Sequence, residues 1–167
     1  MKSLIYTLGF ISLVGLALAV TAGAADSDSV TATVTVQNIS VAVTDGTVTY
    51  GTLAVSSTAS TTSSGLDDSQ TATNNGNITE DFDIAGQDSV AWTLESAIGA
   101  NQYKHSFCTV DCDTTPSWTA LTTSYQTLST SVSSSGTTVF DLKLDTPSSS
   151  ASYTEQSVDV TVLASAS

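Results

Sequence analysis

The sequence predicts an all-β protein: a single β-sandwich with Greek-key or jelly-roll-like connections, preceded by an N-terminal signal peptide. Three observations support this prediction. Short stretches alternate apolar and polar residues with the period of a strand that has one buried face. Turn-forming pairs such as Asp45-Gly46 and Asn75-Gly76 separate these stretches. Beyond the leader, no stretch of useful length has the period of a helix.

The first 24 residues have the organisation of a signal peptide. Lys2 supplies a positive charge, residues 4–20 are largely apolar, and Ala22-Gly23-Ala24 is a cleavage site of small residues. A retained membrane anchor is the alternative, because the apolar stretch is just long enough to cross a bilayer. We expect cleavage after residue 24. Residues 25–167 then form one secreted β-sandwich domain, without a membrane segment, that is extracellular or at the cell surface.

The charge of the chain excludes two classes of partner. Its 16 Asp and Glu residues against 3 Lys and Arg give a formal net charge of −13. Loss of Lys2 with the leader makes this −14 and leaves Lys104 and Lys143 as the strongly basic residues. Nucleic-acid binding and attachment to anionic lipid both need a cationic surface. We therefore expect no nucleic-acid partner and no lipid partner.

The clearest alternation begins the expected domain. Small apolar residues occupy every second position at Val30, Ala32, Val34 and Val36. From Ile39 the apolar positions shift by one. In a straight strand this shift would turn the apolar set toward water, so we expect a bulge, a bend or a change of sheet. Asp45-Gly46 then predicts a type I′ hairpin with a returning strand at 47–50.

The first of these stretches need not pair with the same neighbours as the second. It follows directly on the cleavage site, so it is free at one end and can leave its own domain without a break in the chain. We expect residues 30–36 either to form the first strand of their own sandwich or to be donated to a neighbouring subunit, as in donor-strand complementation. Head-to-tail donation propagates into a filament, so the expected partner is a second copy of the chain.

Further strands are expected along the rest of the domain. The candidate ranges are 69–74, 77–85, 89–96, 102–108, 125–132, 137–144 and 156–163. In the second range, Glu80 interrupts the apolar face. In the third, Val90, Trp92 and Leu94 share one face, and the last contains strictly alternating valines.

Cys108 and Cys112 are the two cysteines of the chain. In an exported protein we expect a disulfide between them. A metal site is the alternative, but tight binding would need more soft ligands than two thiols and the nearby His105. His105 is the single histidine, and we expect it at the rim of the domain rather than in a catalytic relay. Motifs of zinc proteases, serine hydrolases and phosphate loops are missing from the sequence, so we expect no enzymatic activity.

Acidic residues suggest a calcium site. Asp81 and Asp83 lie close together in sequence, and Asp88 follows beyond a turn. Ca²⁺ prefers six to eight oxygen ligands, which carboxylates supply. A second acidic pair, Asp111 and Asp113, lies beside the second cysteine. Surface acidity without a bound ion is the alternative, and we expect no cofactor other than a structural Ca²⁺.

Two further features bear on glycans. Asn38 and Asn77 begin Asn-x-Ser/Thr glycosylation motifs, and Asn77, which follows a turn, is expected to be the more accessible. Trp92 and Trp118 suggest sugar binding, because aromatic rings stack on sugar rings. Trp92 shares a face with Leu94 and is expected in the core, so Trp118 is the better candidate for exposure.

The leader, the alternation at 30–36, the Asp45-Gly46 turn and the segments QTATNNGNITEDFDIAG, FDLKLDTP and QSVDVTVLA together resemble secreted fibre subunits. The resemblance is to the TasA/camelysin group of biofilm-matrix proteins and to the bundling pili of archaea. It covers most of the expected domain. It implies a jelly-roll-like sandwich that polymerises when the N-terminal strand of one subunit completes the sheet of the next.

Trp92-Thr93-Leu94 also resembles the WxL cell-wall-binding domain, which implies a wall polymer or a glycan as partner. The distal motif of that family is absent, since Trp118-Thr119-Ala120-Leu121 has one residue too many. We therefore expect a structural subunit of an extracellular filament, pilus or biofilm matrix. A surface module that binds wall polymer or glycan is the alternative, followed by a secreted hydrolase that uses His105.

Overall fold

The computed structural model describes residues 26–62 and 66–167, so the expected signal peptide at 1–24 lies outside the described residues. The described residues contain strands but no helix, which confirms the all-β prediction. The strands are β1 (Val41–Thr44), β2 (Thr58–Ser60), β3 (Gln70–Asn74), β4 (Glu80–Ala85), β5 (Thr93–Leu94), β6 (Gln102–Cys108), β7 (Thr119–Ala120), β8 (Gln126–Val132), β9 (Thr137–Asp145) and β10 (Thr161–Ala166). The chain divides into two compact units, residues 1–34 and 35–167, and every strand belongs to the second unit.

Strand β9 is the centre of a seven-stranded sheet with the order β1-β3-β9-β6-β5. It is the longest strand, with nine residues. Its first part pairs with β3, and its second part lies between β2 and β6. Strand β7 also pairs with β6. All pairings in this sheet are antiparallel except that of β5 with β6. Strand β1 is therefore one edge of the sheet.

A second sheet contains three antiparallel strands in the order β10-β4-β8. The register between β4 and β8 shifts on both sides of Phe82, which indicates a β-bulge. Ser131 adopts a positive φ of 56° on the bulged strand, and its N–H donates to Asp81 Oδ1 at 2.7 Å. The side-chain hydrogen bond thus supports the irregular backbone of the bulge. On the other side of β4, β10 is an edge strand, with β4 as its one strand partner.

The two sheets contribute side chains to one hydrophobic core. Phe82 and Ile84 of β4 are completely buried, as expected from the alternation of apolar residues with acids in this strand. Phe140 and Leu142 of β9 lie in the same cluster. The full cluster contains Ala72, Phe82, Ile84, Leu94, Tyr103, Phe107, Leu121, Leu128, Val132, Phe140 and Leu142. A shared core between two sheets is the arrangement that a sandwich requires.

The predicted hairpin at Asp45-Gly46 is wrong, although its turn conformation is present. Both residues have positive φ, 71° and 69°, as the Asp-Gly pair predicts. Residues 47–50, however, form no strand, and β1 pairs with β3 instead. Strand β1 pairs with β3 in a register from Val41–Asn74 to Thr44–Thr71, and after the turn Gly46 N–H donates to the Gln70 side chain at 2.9 Å instead of joining a returning strand.

Two other expected strands are shorter than predicted or displaced. Of residues 89–96, only Thr93 and Leu94 form a strand, and Val90 is fully exposed rather than facing the core with Leu94. Here Asp88 Oδ1 accepts a hydrogen bond from Leu94 N–H at 2.8 Å. A side chain thus takes the place that a neighbouring strand would have as partner of this backbone N–H group. The last strand begins at Thr161 rather than 156, because no neighbouring strand pairs with residues 156–160.

A disulfide joins Cys108 and Cys112, as predicted, with their Cα atoms 5.8 Å apart. Cys108 is the last residue of β6, and both cysteines are buried. Between them the chain turns at Asp111, which has a positive φ of 51° and whose carbonyl accepts hydrogen bonds from Thr114 N–H and Thr115 N–H. The bond therefore closes a tight loop at the end of β6.

Replacement of both cysteines by alanine should lower the free energy of unfolding by roughly 1–3 kcal/mol, because a short loop restricts the unfolded chain only modestly. Denaturant unfolding of the Cys108→Ala/Cys112→Ala protein and of the wild type measures this difference. Reduction of the wild type should produce a similar loss, whereas the double variant should not respond to reductant. Two free thiols in protein isolated from its native host would contradict the prediction.

Candidate functional site

The residues predicted to form a donor strand have no regular secondary structure in the single chain. Val30, Val34 and Val36 expose 97%, 90% and 81% of their surface, and Ala32 is exposed as well. Residues 30–36 thus form no strand in the single chain, and both a strand of their own sandwich and a donated strand stay predictions. A strand needs a hydrogen-bonded neighbour, and no strand of the described chain pairs with this stretch. The alternating apolar residues remain available to another molecule.

Strand β10 and the residues before it present an apolar face that is only partly covered. Val158, Val160, Val162 and Ala164 alternate with exposed residues and pack against the core, yet each is only partly buried. The alternation continues upstream of β10 into residues 156–160, which no strand accompanies. The N–H and C=O groups of β10 that point away from β4 form the open edge of the three-stranded sheet. This edge combines unpaired main chain with an incompletely covered apolar face.

The edge strand of the larger sheet lies on the same side. Strand β1 approaches β10, and its Val41 and Val43 are partly buried against the core. Val48 and Tyr50, which follow without forming a strand, are buried to a similar degree. We call this region the open side of the domain. It is lined by Val41, Val43, Val158, Val160, Val162 and Ala164.

Residues 36–40 lie along the turn between β3 and β4. Asn77 contacts two of them through its side chain: Nδ2 donates to Val36 O at 2.8 Å, and Oδ1 accepts from Asn38 N–H at 2.8 Å. Asn77 N–H also donates to Asn38 O at 3.1 Å. Glu80 Oε1 accepts from Ser40 N–H at 2.9 Å. The turn thus holds the chain immediately before β1.

The turn itself depends on a glycine. Gly76 N–H donates to Asn74 Oδ1 at 2.8 Å, inside the buried part of the turn. A Cβ at residue 76 would collide with Glu80 Oε1 and would lie 3.1 Å from Asn74 Oδ1. Gly76 therefore allows the Glu80 carboxylate to approach the backbone. The sequence indicated the turn through Asn75-Gly76, but the role of Glu80 was visible only as an interruption of the apolar pattern.

The two glycosylation motifs are neighbours in this arrangement. Asn38 and Asn77 are both exposed, but the Asn77 amide nitrogen already donates to Val36 O. Among the described residues, the Asn38 side chain makes no hydrogen bond. The expectation that Asn77 is the more accessible of the two therefore has no support from the geometry.

The residues predicted to bind calcium do not converge. Asp81 Oδ1 accepts from Ser167 Oγ at 2.6 Å and from Ser131 N–H at 2.7 Å, and these bonds hold the pKa of Asp81 below its usual range. Asp88 Oδ1 accepts from Leu94 N–H. Within residues 26–62 and 66–167, no three His, Cys, Asp or Glu side chains lie close enough to share a metal ion. The arrangement of Asp81, Asp83 and Asp88 gives the calcium hypothesis no geometric support.

The second acidic pair lines a shallow cleft of about 280 Å³ beside the disulfide. Asp141 lines the same cleft as Asp111 and Asp113. Asp141 is buried, and its Oδ1 accepts from Thr61 Oγ1 at 2.7 Å and from Ser69 Oγ at 2.8 Å. The buried carboxylate thus has protein donors, which is the usual condition for burial of a charge.

His105 lies in the interior, so its expected position at the rim is wrong. It exposes 3% of its surface, and its Nε2 lies 2.9 Å from the hydroxyl of Tyr50. The Tyr103 ring lies 6.4 Å from the imidazole, measured between ring centroids. Burial lowers the pKa of His105 to about 4, and the smaller effect of Asp145 acts in the opposite direction. Burial also raises the pKa of Tyr50 and of Tyr103. His105 and Tyr50 thus form a polar contact inside the core.

His105 should make the protein less stable in acid. Between pH 6.5 and pH 4 the unfolded chain binds a proton on His105 that the folded chain excludes. Stability is therefore complete above pH 6.5 and decreases as the pH falls to 4, by roughly 3 kcal/mol for this group. The His105→Gln variant should lose this dependence, as measured by denaturant unfolding at pH 7 and pH 4.

The Tyr50→Phe variant is the control, because it removes the hydrogen-bond partner and retains the imidazole. It should be less stable than the wild type at both pH values and still lose stability in acid. If the wild type and His105→Gln show the same pH dependence, the interpretation of His105 as a buried neutral base is wrong.

Both tryptophans, the candidates for sugar stacking, are partly buried. Trp92 packs on the core, as predicted, with its ring centroid 6.3 Å from that of Tyr103 and its Nε1 donating to Ser150 Oγ at 2.9 Å. Trp118 is partly buried, and Lys143 Nζ lies 5.2 Å from the centroid of its ring. This cation–π contact occupies one face of the ring.

Comparison with protein-family models, with curated proteins and with solved structures finds no match for this chain. In the described part of the chain, no helix has the length and the apolar character needed to cross a membrane.

Proposed function

We propose that this protein is a secreted, non-enzymatic structural subunit of an extracellular filament, pilus or biofilm matrix that assembles by strand donation. In each junction, residues 30–36 of one subunit add to the open side of the next. The proposal rests on one observation: the same chain contains both an exposed, alternating apolar segment and an edge strand with a partly covered apolar face.

The chemistry of the two features matches. Strand addition supplies main-chain hydrogen bonds to the free edge of β10 and places alternate side chains in pockets. Each valine of the donor segment that becomes fully buried contributes about 1.5–3 kcal/mol through removal of apolar surface from water. Because donor and acceptor are different parts of the same chain, the contact is head-to-tail and propagates unless it closes into a ring.

Assembly of this kind does not depend on attraction between charges, which a chain with a formal net charge of −13 lacks. The donor residues and the residues that line the open side are uncharged. Added salt screens the repulsion between acidic subunits and should favour assembly. Export provides an extracellular location, where the disulfide is stable.

Deletion of residues 26–36 should abolish filaments and leave a soluble, folded domain. The deleted residues contribute no strand to either sheet. Electron microscopy and size-exclusion chromatography of the mature protein measure assembly, and circular dichroism measures folding. A deletion protein that is unfolded would show that the segment belongs to its own core, contrary to the proposal.

A charge-matched pair of variants tests which face of the donated strand contacts the neighbouring subunit. Val30→Lys/Val34→Lys places charges on the apolar face, whereas Thr31→Lys/Thr33→Lys adds the same charge on the alternate face. The first pair should prevent assembly, and the second should permit it, because alternate residues of a strand point to opposite sides. Equal behaviour of the two variants, or wild-type protein that stays monomeric at high concentration with and without Ca²⁺, would contradict strand donation. In the latter case, binding to purified wall polymer or glycan becomes the hypothesis to test.

A further inference from the structure

We propose that Asn77 and Glu80, whose side chains we call the latch, anchor the base of the donor segment and present it for strand addition. This inference rests on the proposed function and adds to it two positioning residues. The latch acts on the main chain of residues 36–40, beginning at the last alternating residue, Val36, and it makes no hydrogen bond to the side chains that would enter the neighbouring subunit.

The first argument is the completeness of the anchor. Along residues 36–40, five main-chain groups are hydrogen-bonded to the turn: the carbonyls of Val36, Asn38 and Ser40, and the N–H groups of Asn38 and Ser40. Backbone of the turn supplies two of the five partners, through Asn75 N–H and Asn77 N–H. The latch supplies the other three. The side chains thus extend the pairing of β1 with β3 beyond the point where the β3 backbone ends.

The second argument is the chemistry of the two side chains. A carboxamide combines an NH₂ donor group with a carbonyl acceptor, so Asn77 can donate to Val36 O and accept from Asn38 N–H at the same time. Glu80 is completely buried and its Oε1 accepts from Ser40 N–H, while its Oε2 has no hydrogen-bond partner among the described residues. Burial of a carboxylate with one oxygen unsatisfied is costly. Glu80 begins β4 and bonds to Ser40, the residue before β1, so this cost is incurred at the anchor.

The third argument is the consequence for assembly. Each residue that must be ordered during binding weakens the contact, because it loses conformational freedom. Residues 36–40 are already ordered in the single chain, so donation requires ordering only of the segment upstream. Release of the latch would add residues that must be ordered on binding and weaken each junction between subunits.

The experiment replaces the latch amide by an isosteric carboxylate. Asn77→Asp retains the acceptor for Asn38 N–H but places a negative oxygen against Val36 O. Asn38→Asp is the matched control, because it adds the same charge at an exposed neighbouring residue whose side chain makes no hydrogen bond within the described ranges. Thr79→Ala is a second control, because it destroys the glycosylation motif of Asn77 and keeps the latch intact.

We expect Asn77→Asp to raise the critical concentration for filament formation roughly tenfold, the equivalent of ordering about one additional residue per junction. Asn38→Asp and Thr79→Ala should assemble as the wild type does. Amide hydrogen exchange at Asn38 and Ser40 should accelerate in Asn77→Asp alone. All variants should bind a synthetic peptide of residues 26–36 with equal affinity, because the acceptor edge is unchanged.

The outcomes separate the latch from the proposed function. Wild-type protein that forms no filaments overturns both. Filaments of Asn77→Asp with the wild-type critical concentration overturn the latch and leave strand donation standing. Loss of peptide binding in Asn77→Asp would show a general structural role and also overturn the latch. An assembly defect shared by Thr79→Ala would assign the effect to a glycan on Asn77 instead.

Discussion

The pairing of main-chain hydrogen-bonding groups is the constraint on which the rest of this structure depends. Strand β9 satisfies it most fully, because its second half has β2 on one side and β6 on the other. Away from β9 the pairing becomes less complete, and it ends at β1 in one sheet and at β10 in the other. Unpaired strand edges attract other strands, and proteins usually cover or charge them. Here the edge strand β10 carries no charged residue.

Side chains supply the pairing where strands end. Asp88 accepts from Leu94 N–H, Asp81 from Ser131 N–H, and Glu80 from Ser40 N–H. In each case a carboxylate occupies the position of a missing backbone carbonyl. This use accounts for part of the acidic composition without a bound ion. The same acidic residues therefore bond to backbone N–H groups at strand ends and contribute to the negative charge of the protein.

The interior combines apolar packing with a few polar contacts. His105 Nε2 and the Tyr50 hydroxyl are hydrogen-bonded in the core, and Thr61 and Ser69 donate to Asp141. Buried polar groups with partners specify a unique arrangement more than they add stability. The core therefore favours one packing of the two sheets. The open side has only partly buried valines, so a further strand could still add contacts there.

The sequence by itself determined the strand class, most strand positions and the disulfide, because these depend on local properties. Alternation predicted β3, β4, β6, β8 and β9 closely, and the spacing of Cys108 and Cys112 made their pairing the expected state. Only the tertiary structure decided which strands pair. Asp45-Gly46 turns as predicted, yet β1 pairs with β3, because a turn signal describes local φ and ψ and not which strands become neighbours. The burial of His105 and the contacts of Asn77 and Glu80 join residues far apart in sequence, and a local pattern contains no information on such contacts.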